Sequence, residues 1–425
     1  MSLLIKNGRV IDPESNFNDI ADVLVDNGKI ISVGKNIKRK SEKTIDANGL
    51  IVSPGFIDMH VHLREPGEEN KETIETGIKA AEHGGFTSIA CMPNTYPVND
   101  NRSVTEYIIA RAHEFNSVNV FPIASISKGL NGEYLSEMGD LVNGGARGFS
   151  DDGKCVMKAD LIRKALEYSK MFDVPIIEHP EDHSISEEGQ VNEGIISYKY
   201  GLRGILNAAE EVIVSRDIIL QERIRSKLHL THISTKGSVD IIKNAKKRGV
   251  KVTADATPHH ILLTDENITK FDPAYKMKPP LRSEEDRLGL IEGIKDGTID
   301  VIASDHAPHT ADEKDKEFEY APFGVIGLET SFPVIYDRLV RTGIITVERM
   351  VELFSVNPAK VLGLSKRGSL KTDNIADITI FDPEKKFEIR VEDFYSKASN
   401  SPFIGWKGKG QIAYTIVKGI VVFKS

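Results

Sequence analysis

Short runs of β-branched and apolar residues alternate with amphipathic helical stretches through the middle of this chain, and that alternation limits its fold more than any other feature. The strand-like runs are GFIDMHVH, TSIACMPN, NVFPIAS, ARGFSDD, VPIIEH, LHLTHIS, KVTADATPHH and VIASDHAPH. Helical stretches at Glu72–His83, Asp160–Met171, Ala208–Gln221 and Ser238–Arg248 fall between several of them. A strand that is followed by a helix returns as a parallel neighbour, because the crossover needs that length of chain. The class is therefore α/β, and about eight such units favour a closed (β/α)8, TIM-like barrel. Periodicity alone leaves a doubly wound open sheet as the alternative.

The two ends follow a different pattern. LLIKNGRVI and DVLVDNGKIISVG carry apolar runs broken at Asn7-Gly8 and Asn27-Gly28, and AYTIVKGIVVF repeats this around Lys418-Gly419. Asn-Gly between strand-like runs favours the left-handed dihedrals of a tight hairpin turn. Residues 1–53 and 367–425 are expected to form one small composite β-sandwich, and 54–366 the barrel. Two independent hairpin caps are the alternative.

A chain of 425 residues buries a large core without covalent help. Its two cysteines, Cys91 and Cys155, form no disulfide framework and suit a reducing cytoplasm. The start, MSLLIKNGRVIDPES, lacks the apolar core of a secretory signal. No run approaches the roughly 18 apolar residues of a membrane-spanning helix. A net charge of −8 argues against nucleic-acid or anionic-membrane partners, while a small anionic substrate still fits a local positive pocket.

Nearly every expected strand ends in a residue that binds metal or moves protons. His60 and His62 end the first, Pro93-Asn94 the second, and Asp151-Asp152 the fourth. His179, His232 and His259-His260 end the fifth to seventh, and Asp305-His306 the eighth, with His309 just beyond. Barrel active sites form where such strand ends meet. Residues two apart on a strand share a face, so His60 and His62 can reach one ion. Asp151 and Asp152 point opposite ways, and periodicity cannot choose between them.

The segments PGFIDMHVHLREPG, MPNT, FSDDGK, EHPED, THIST, TPHH, SDHAPHT and APFGVIGLET together resemble the amidohydrolase superfamily, and within it the bacterial type I dihydroorotases. The resemblance spans essentially the whole chain. It implies one or two zinc ions, a binuclear site being favoured, with His60 and His62 on one ion and Asp305 close to it. His179 and His232 would hold the second ion, and Asp152 would be shared. Relatives that use a carboxylated lysine leave Lys154 as the weaker candidate for the bridge. The resemblance also implies substrate contacts at Arg64, Asn94, Lys278 and His309, with backbone groups near Phe323 and Gly324. Lys278 departs from the family, which commonly carries Asn there.

The implied reaction is the zinc-dependent, reversible cyclisation of N-carbamoyl-L-aspartate to L-dihydroorotate in pyrimidine biosynthesis. Asp305 would be the general base turned acid, and Arg64 the partner of the substrate carboxylate. The rival readings are allantoinase or dihydropyrimidinase and, from another class, a non-catalytic paralogue that scaffolds aspartate carbamoyltransferase. A homo-oligomer and contact with aspartate carbamoyltransferase are further expectations. The charged stretch 309–321 reads either as a solvated loop or as a lid over substrate.

Overall fold

The computed structural model describes residues 2–425. Its strands are β1 (Ser2–Asp12), β2 (Phe17–Asp26), β3 (Lys29–Gly34), β4 (Lys43–Asp46), β5 (Ile51–Pro54), β6 (Phe56–Val61), β7 (Phe86–Cys91), β8 (Asn119–Pro122) and β9 (Ile176–Glu178). They continue as β10 (Val191–Asn192), β11 (Gly204–Ile205), β12 (Leu228–Leu230), β13 (Val252–Ala256), β14 (Val301–Ile302), β15 (Ile378–Glu388), β16 (Lys407–Val417) and β17 (Ile420–Lys424).

Strands from both ends of the chain share one sheet, in the order β17-β16-β15-β5-β1-β2-β3 with β4 on β1. The seam is the antiparallel pairing of β15 with β5, which sets Ile378 opposite Pro54 and Ile380 opposite Val52. Leu3, Ile5, Val10, Val23, Val25, Val52, Ile378, Ile380 and Ile416 form one buried cluster, so neither end buries its apolar face without the other. The hairpin tips also meet: a side chain on Gly28 would lie 3.1 Å from the Lys418 carbonyl oxygen.

Two of the three turn signals are hairpins. Asn27 and Gly28 both take positive φ between Asp26 and Lys29, and Lys418 and Gly419 do so between Val417 and Ile420. Asn7-Gly8 does not turn the chain. Asn7 has φ 61°, but it sits inside β1, where the register against β2 shifts between Ile5 and Gly8. The left-handed residue makes a bulge because strand pairing resumes on the same partner.

In the middle of the chain every residue of β6 and β7 is buried, as in a parallel sheet covered on both faces. β6, β7 and β8 pair in parallel, as do β9, β12, β13 and β14. The expected strand in ARGFSDD is reduced to Phe149, which bridges Ala124 and Ile176 in parallel and so links β8 to β9. His306 bridges Val61, and the series of parallel pairings returns to β6. The four expected helices appear at Ile74–His83, Ala159–Ser169, Ala208–Ile224 and Lys236–Lys247. The first starts after Glu72 because Thr73 caps it by accepting from Thr76 N. Among the described residues no helix is long and apolar enough to cross a membrane.

Candidate metal and substrate site

His60, His62, Asp152, His179, His232 and Asp305 converge where the parallel segments end, and all are buried. His60 Nε2 lies 3.2 Å from Asp152 Oδ1 and 3.4 Å from Asp305 Oδ1. His62 Nε2 lies 3.1 Å from Asp305 Oδ1 and 3.4 Å from Asp152 Oδ2. His179 Nδ1 is 2.8 Å from His232 Nε2, and each stands 3.6 Å from Asp152 Oδ1. Two three-residue groups, His60-His62-Asp305 and His60-Asp152-His232, bring their ligand atoms within 4.8 Å of one another.

The aspartate pair is resolved by what Asp151 does. Its carboxylate accepts from Ser127 N at 3.0 Å and from the Ser127 hydroxyl, so it faces a neighbouring loop. Asp152 is left facing the histidines. Lys154 is exposed beyond the turn.

The surroundings fix how each imidazole presents itself. Asp255 Oδ2 accepts from the Thr231 hydroxyl at 2.9 Å, so the Thr231 oxygen is free to accept from His60 Nδ1 at 2.8 Å. That puts the His60 proton on Nδ1 and turns the Nε2 lone pair toward Asp152 and Asp305. Asn94 Oδ1 plays the same part for His62 Nδ1 at 2.8 Å, and Glu181 Oε2 for His179 Nε2 at 3.1 Å. Asp58 ties the first and last segments together, accepting from His60 N and Ser304 N. Arg64, His232 and Asp305 all sit at positive φ, 61°, 39° and 48°, an arrangement that costs energy and clusters at functional sites.

A cation suits this place. His60 Nε2 and Asp152 Oδ1 are buried and face each other without hydrogen-bond geometry, each lacking a partner. Burial opposes charge on His60, yet Asp152 and then Asp305 outweigh it and push the imidazole up to about 10. Burial likewise opposes charge on His179, and Asp152 and Glu181 push it up to about 9. The two carboxylates hold positive charge between them, and imidazole nitrogens with carboxylate oxygens are a donor set for a divalent ion such as zinc.

Beside this cluster lie the expected substrate contacts. Arg64 Nε donates to Pro308 O at 3.2 Å, and one of its terminal nitrogens is 3.4 Å from His309 Nε2. His309 Nε2 donates to Phe323 O at 2.9 Å, since a carbonyl can only accept. Burial, and next the Arg64 charge, push His309 down to about 3. Gly324 has φ 126°, and a side chain there would meet Ala307 Cβ at 2.8 Å. Asn400 holds this wall from the far end of the sequence, donating to Ala307 O and Gly324 O. Lys278 Nζ faces Glu181 Oε1 at 2.9 Å, off the line a hydrogen bond needs and so as an ion pair, and stands 5.5 Å over the Phe323 ring. His306 turns away to Glu72 at 3.3 Å.

The stretch 309–321 is tied to its surroundings by two lysines. Lys276 Nζ donates to Phe318 O and Glu319 O, and Lys314 Nζ to Pro273 O and Pro322 O. Sequence reasoning passed over Asp58, Glu181, Thr231, Asp255 and Asn400. The first three lie inside the quoted segments and Asp255 inside a quoted strand, so only their contacts were hidden. Asn400 carried no local signal.

Known proteins similar to this chain are dihydroorotases and hydantoinases. A family model described as dihydro-orotase-like matches residues 49–238. Dihydroorotase from Geobacter metallireducens is 52% identical over 425 residues, covering 100% of both chains. Dihydroorotase from Acetivibrio thermocellus is 51% identical over 422 residues, covering 99% of each. Among solved structures, L-hydantoinase (dihydropyrimidinase) from Arthrobacter aurescens superposes with a TM-score of 0.90 at 26% identity, over 99% of this chain and 96% of that one. Dihydropyrimidinase from Brevibacillus agri gives 0.86 at 25% identity, over 100% and 95%.

Proposed function

The chain belongs to the dihydroorotase family, and from that premise we infer that it is a hydrolytic cyclic amidase interconverting L-dihydroorotate and N-carbamoyl-L-aspartate. The observation that carries this reading is the convergence of four histidines and two aspartates beside a buried arginine. We read the returning series of parallel pairings as a (β/α)8 barrel spanning 54–366, and the shared terminal sheet as a composite sandwich of 1–53 and 367–425.

In this proposal His60, His62, Asp152, His179 and His232 hold zinc, with Asp305 alongside. Divalent ions there supply Lewis-acid polarisation of the amide carbonyl and activation of water at neutral pH. The residues of the chain do the rest. Arg64 pairs its guanidinium with the substrate carboxylate, giving orientation as well as charge. Asn94, His309 and the backbone at Phe323 and Gly324 wall the ring. A water oxygen bonds to the ring carbonyl carbon and the C–N bond breaks. The Asp305 carboxylate takes the water proton and delivers it to the departing nitrogen. Ring closure runs the same transfers backwards, the direction that serves pyrimidine synthesis.

Dihydropyrimidinase is the competing activity, because the structural neighbours carry that name at 26% identity or less. Relatives at about half identity over the full length weigh more. The test is turnover of dihydroorotate, N-carbamoyl-L-aspartate, dihydrouracil and allantoin by zinc-loaded protein, with and without a chelator. Chelator-sensitive activity on the first pair is expected. Arg64→Met should lower kcat/KM on dihydroorotate by about 10- to 100-fold, the worth of a charge-assisted hydrogen bond. Preference for dihydrouracil, which has no carboxylate, would overturn the substrate assignment.

A further inference from the structure

We propose that Lys278 is a positioning residue for the metal site, acting through Glu181 on His179, and that this task takes precedence over contact with substrate. The proposal rests on the functional reading above. Its basis is a chain of three side chains. His179 turns Nδ1 toward His232 and Asp152, and its other nitrogen, Nε2, meets Glu181 Oε2 at 3.1 Å. The second oxygen of that carboxylate faces Lys278 Nζ at 2.9 Å.

Each link is needed for the next. Glu181 is buried, and a buried carboxylate without a counter-charge is expensive. Among the described residues Lys278 is the single lysine or arginine within 4.0 Å of it; the other basic groups within that distance are the rings of His179 and, at 4.0 Å, His183. Arg282 lines the same small cavity, but its guanidinium is spent on Ser234 Oγ, Asn192 Oδ1 and Ile205 O. Lys278 is itself held in place, with the Phe323 ring 5.5 Å from Nζ and only 24% of its side chain exposed. A carboxylate fixed in this way keeps the His179 proton on Nε2 and aims the Nδ1 lone pair at the ion position. Without Lys278, Glu181 gains by rotating toward solvent, and that change loosens His179.

The experiment measures zinc affinity by competition with a chromophoric chelator, and the visible spectrum of the cobalt-substituted protein. Wild type is compared with K278M, K278R, E181Q and the K278M/E181Q double variant, with kcat and KM for dihydroorotate alongside. K278M is expected to lose about tenfold or more in affinity for the metal and to shift the cobalt bands, as removal of an outer-shell partner does. K278R should restore most of both. The double variant should be no worse than E181Q alone, because the two act in series. Far-UV circular dichroism checks that each variant folds, and E181Q tests the same link from its other end. Wild-type zinc affinity and cobalt spectrum in K278M, with KM alone raised, would overturn the proposal and return Lys278 to the substrate. Wild type that takes up neither zinc nor cobalt would instead bring down the functional reading itself, and the inference with it.

Discussion

Thr231→Val tests whether the contacts behind the histidines do what the geometry assigns to them. The change keeps the branching and nearly the volume of the side chain and deletes one hydroxyl. That hydroxyl donates to Asp255 Oδ2 at 2.9 Å and accepts from His60 Nδ1 at 2.8 Å. Asp255 retains two other donors, His229 Nε2 at 2.8 Å and His232 N at 2.7 Å, so its share of the loss is small. His60 has no such reserve. Its ring is 1% exposed and Nδ1 is left without an acceptor. An unpaired buried donor costs about 1–3 kcal/mol of stability. Freeing the ring from its orienting partner should also weaken zinc binding by about 10- to 100-fold, which is about 1.4–2.7 kcal/mol. Urea unfolding of the metal-free protein reads the first quantity and chelator competition the second. Thr231→Ser keeps the hydroxyl and should stay close to wild type in both. Zinc affinity and unfolding midpoint both unchanged in Thr231→Val would refute the reasoning, because among the described residues Thr231 alone accepts from His60 Nδ1.

Three further outcomes are expected. Asp305→Ala should keep zinc and lose turnover by about 10²- to 10⁴-fold, the usual worth of a positioned acid–base group; near-normal turnover removes Asp305 from that role. Gly324→Ala places a side chain 2.8 Å from Ala307 Cβ and 3.2 Å from His309 Nε2 at φ 126°, and should cost about 1–3 kcal/mol in thermal or urea unfolding. A variant as stable as wild type would mean that the wall yields without cost. His309 is pushed down to about 3 by burial and by Arg64, against an ordinary value of 6.5. Below pH 6.5 the unfolded chain therefore binds a proton that the folded chain refuses. Stability falls as pH drops from 6.5 toward about 3, by at most about 1.4 kcal/mol per pH unit from this group. His309→Gln should flatten that share of the slope, and parallel wild-type and variant curves from pH 6.5 to 5 would contradict it.

Much of this molecule is written locally. The apolar runs of β1, β2, β6 and β7 and the caps and apolar stripes of the helices are short-range properties. They made the alternation of strands and helices readable, along with the strand-end placement of His60, His62, His179, His232 and Asp305. The Asn7-Gly8 signal predicts left-handed backbone, which Asn7 adopts, and a turn, which the chain does not make there. Dihedral preference is local, whereas whether the chain reverses or bulges depends on which partner pairs next.

Tertiary structure decided what each of those side chains faces. Asp151 and Asp152 are equivalent in sequence, and it is Ser127, 24 residues away, that claims one and leaves the other to the histidines. Thr231 is 171 residues from the His60 ring that it orients, and Asn400 lies 93 from the carbonyl it ties down in the wall. The sequence offers Lys278 as a substrate contact, and only the fold shows that its ammonium also faces Glu181. The amino-acid sequence by itself determined which chemical groups stand at the strand ends, because backbone preference and side-chain alternation act over a few residues. Which of their atoms are paired, and so which remain free to act, depends on groups far apart in the chain, and only packing brings those together.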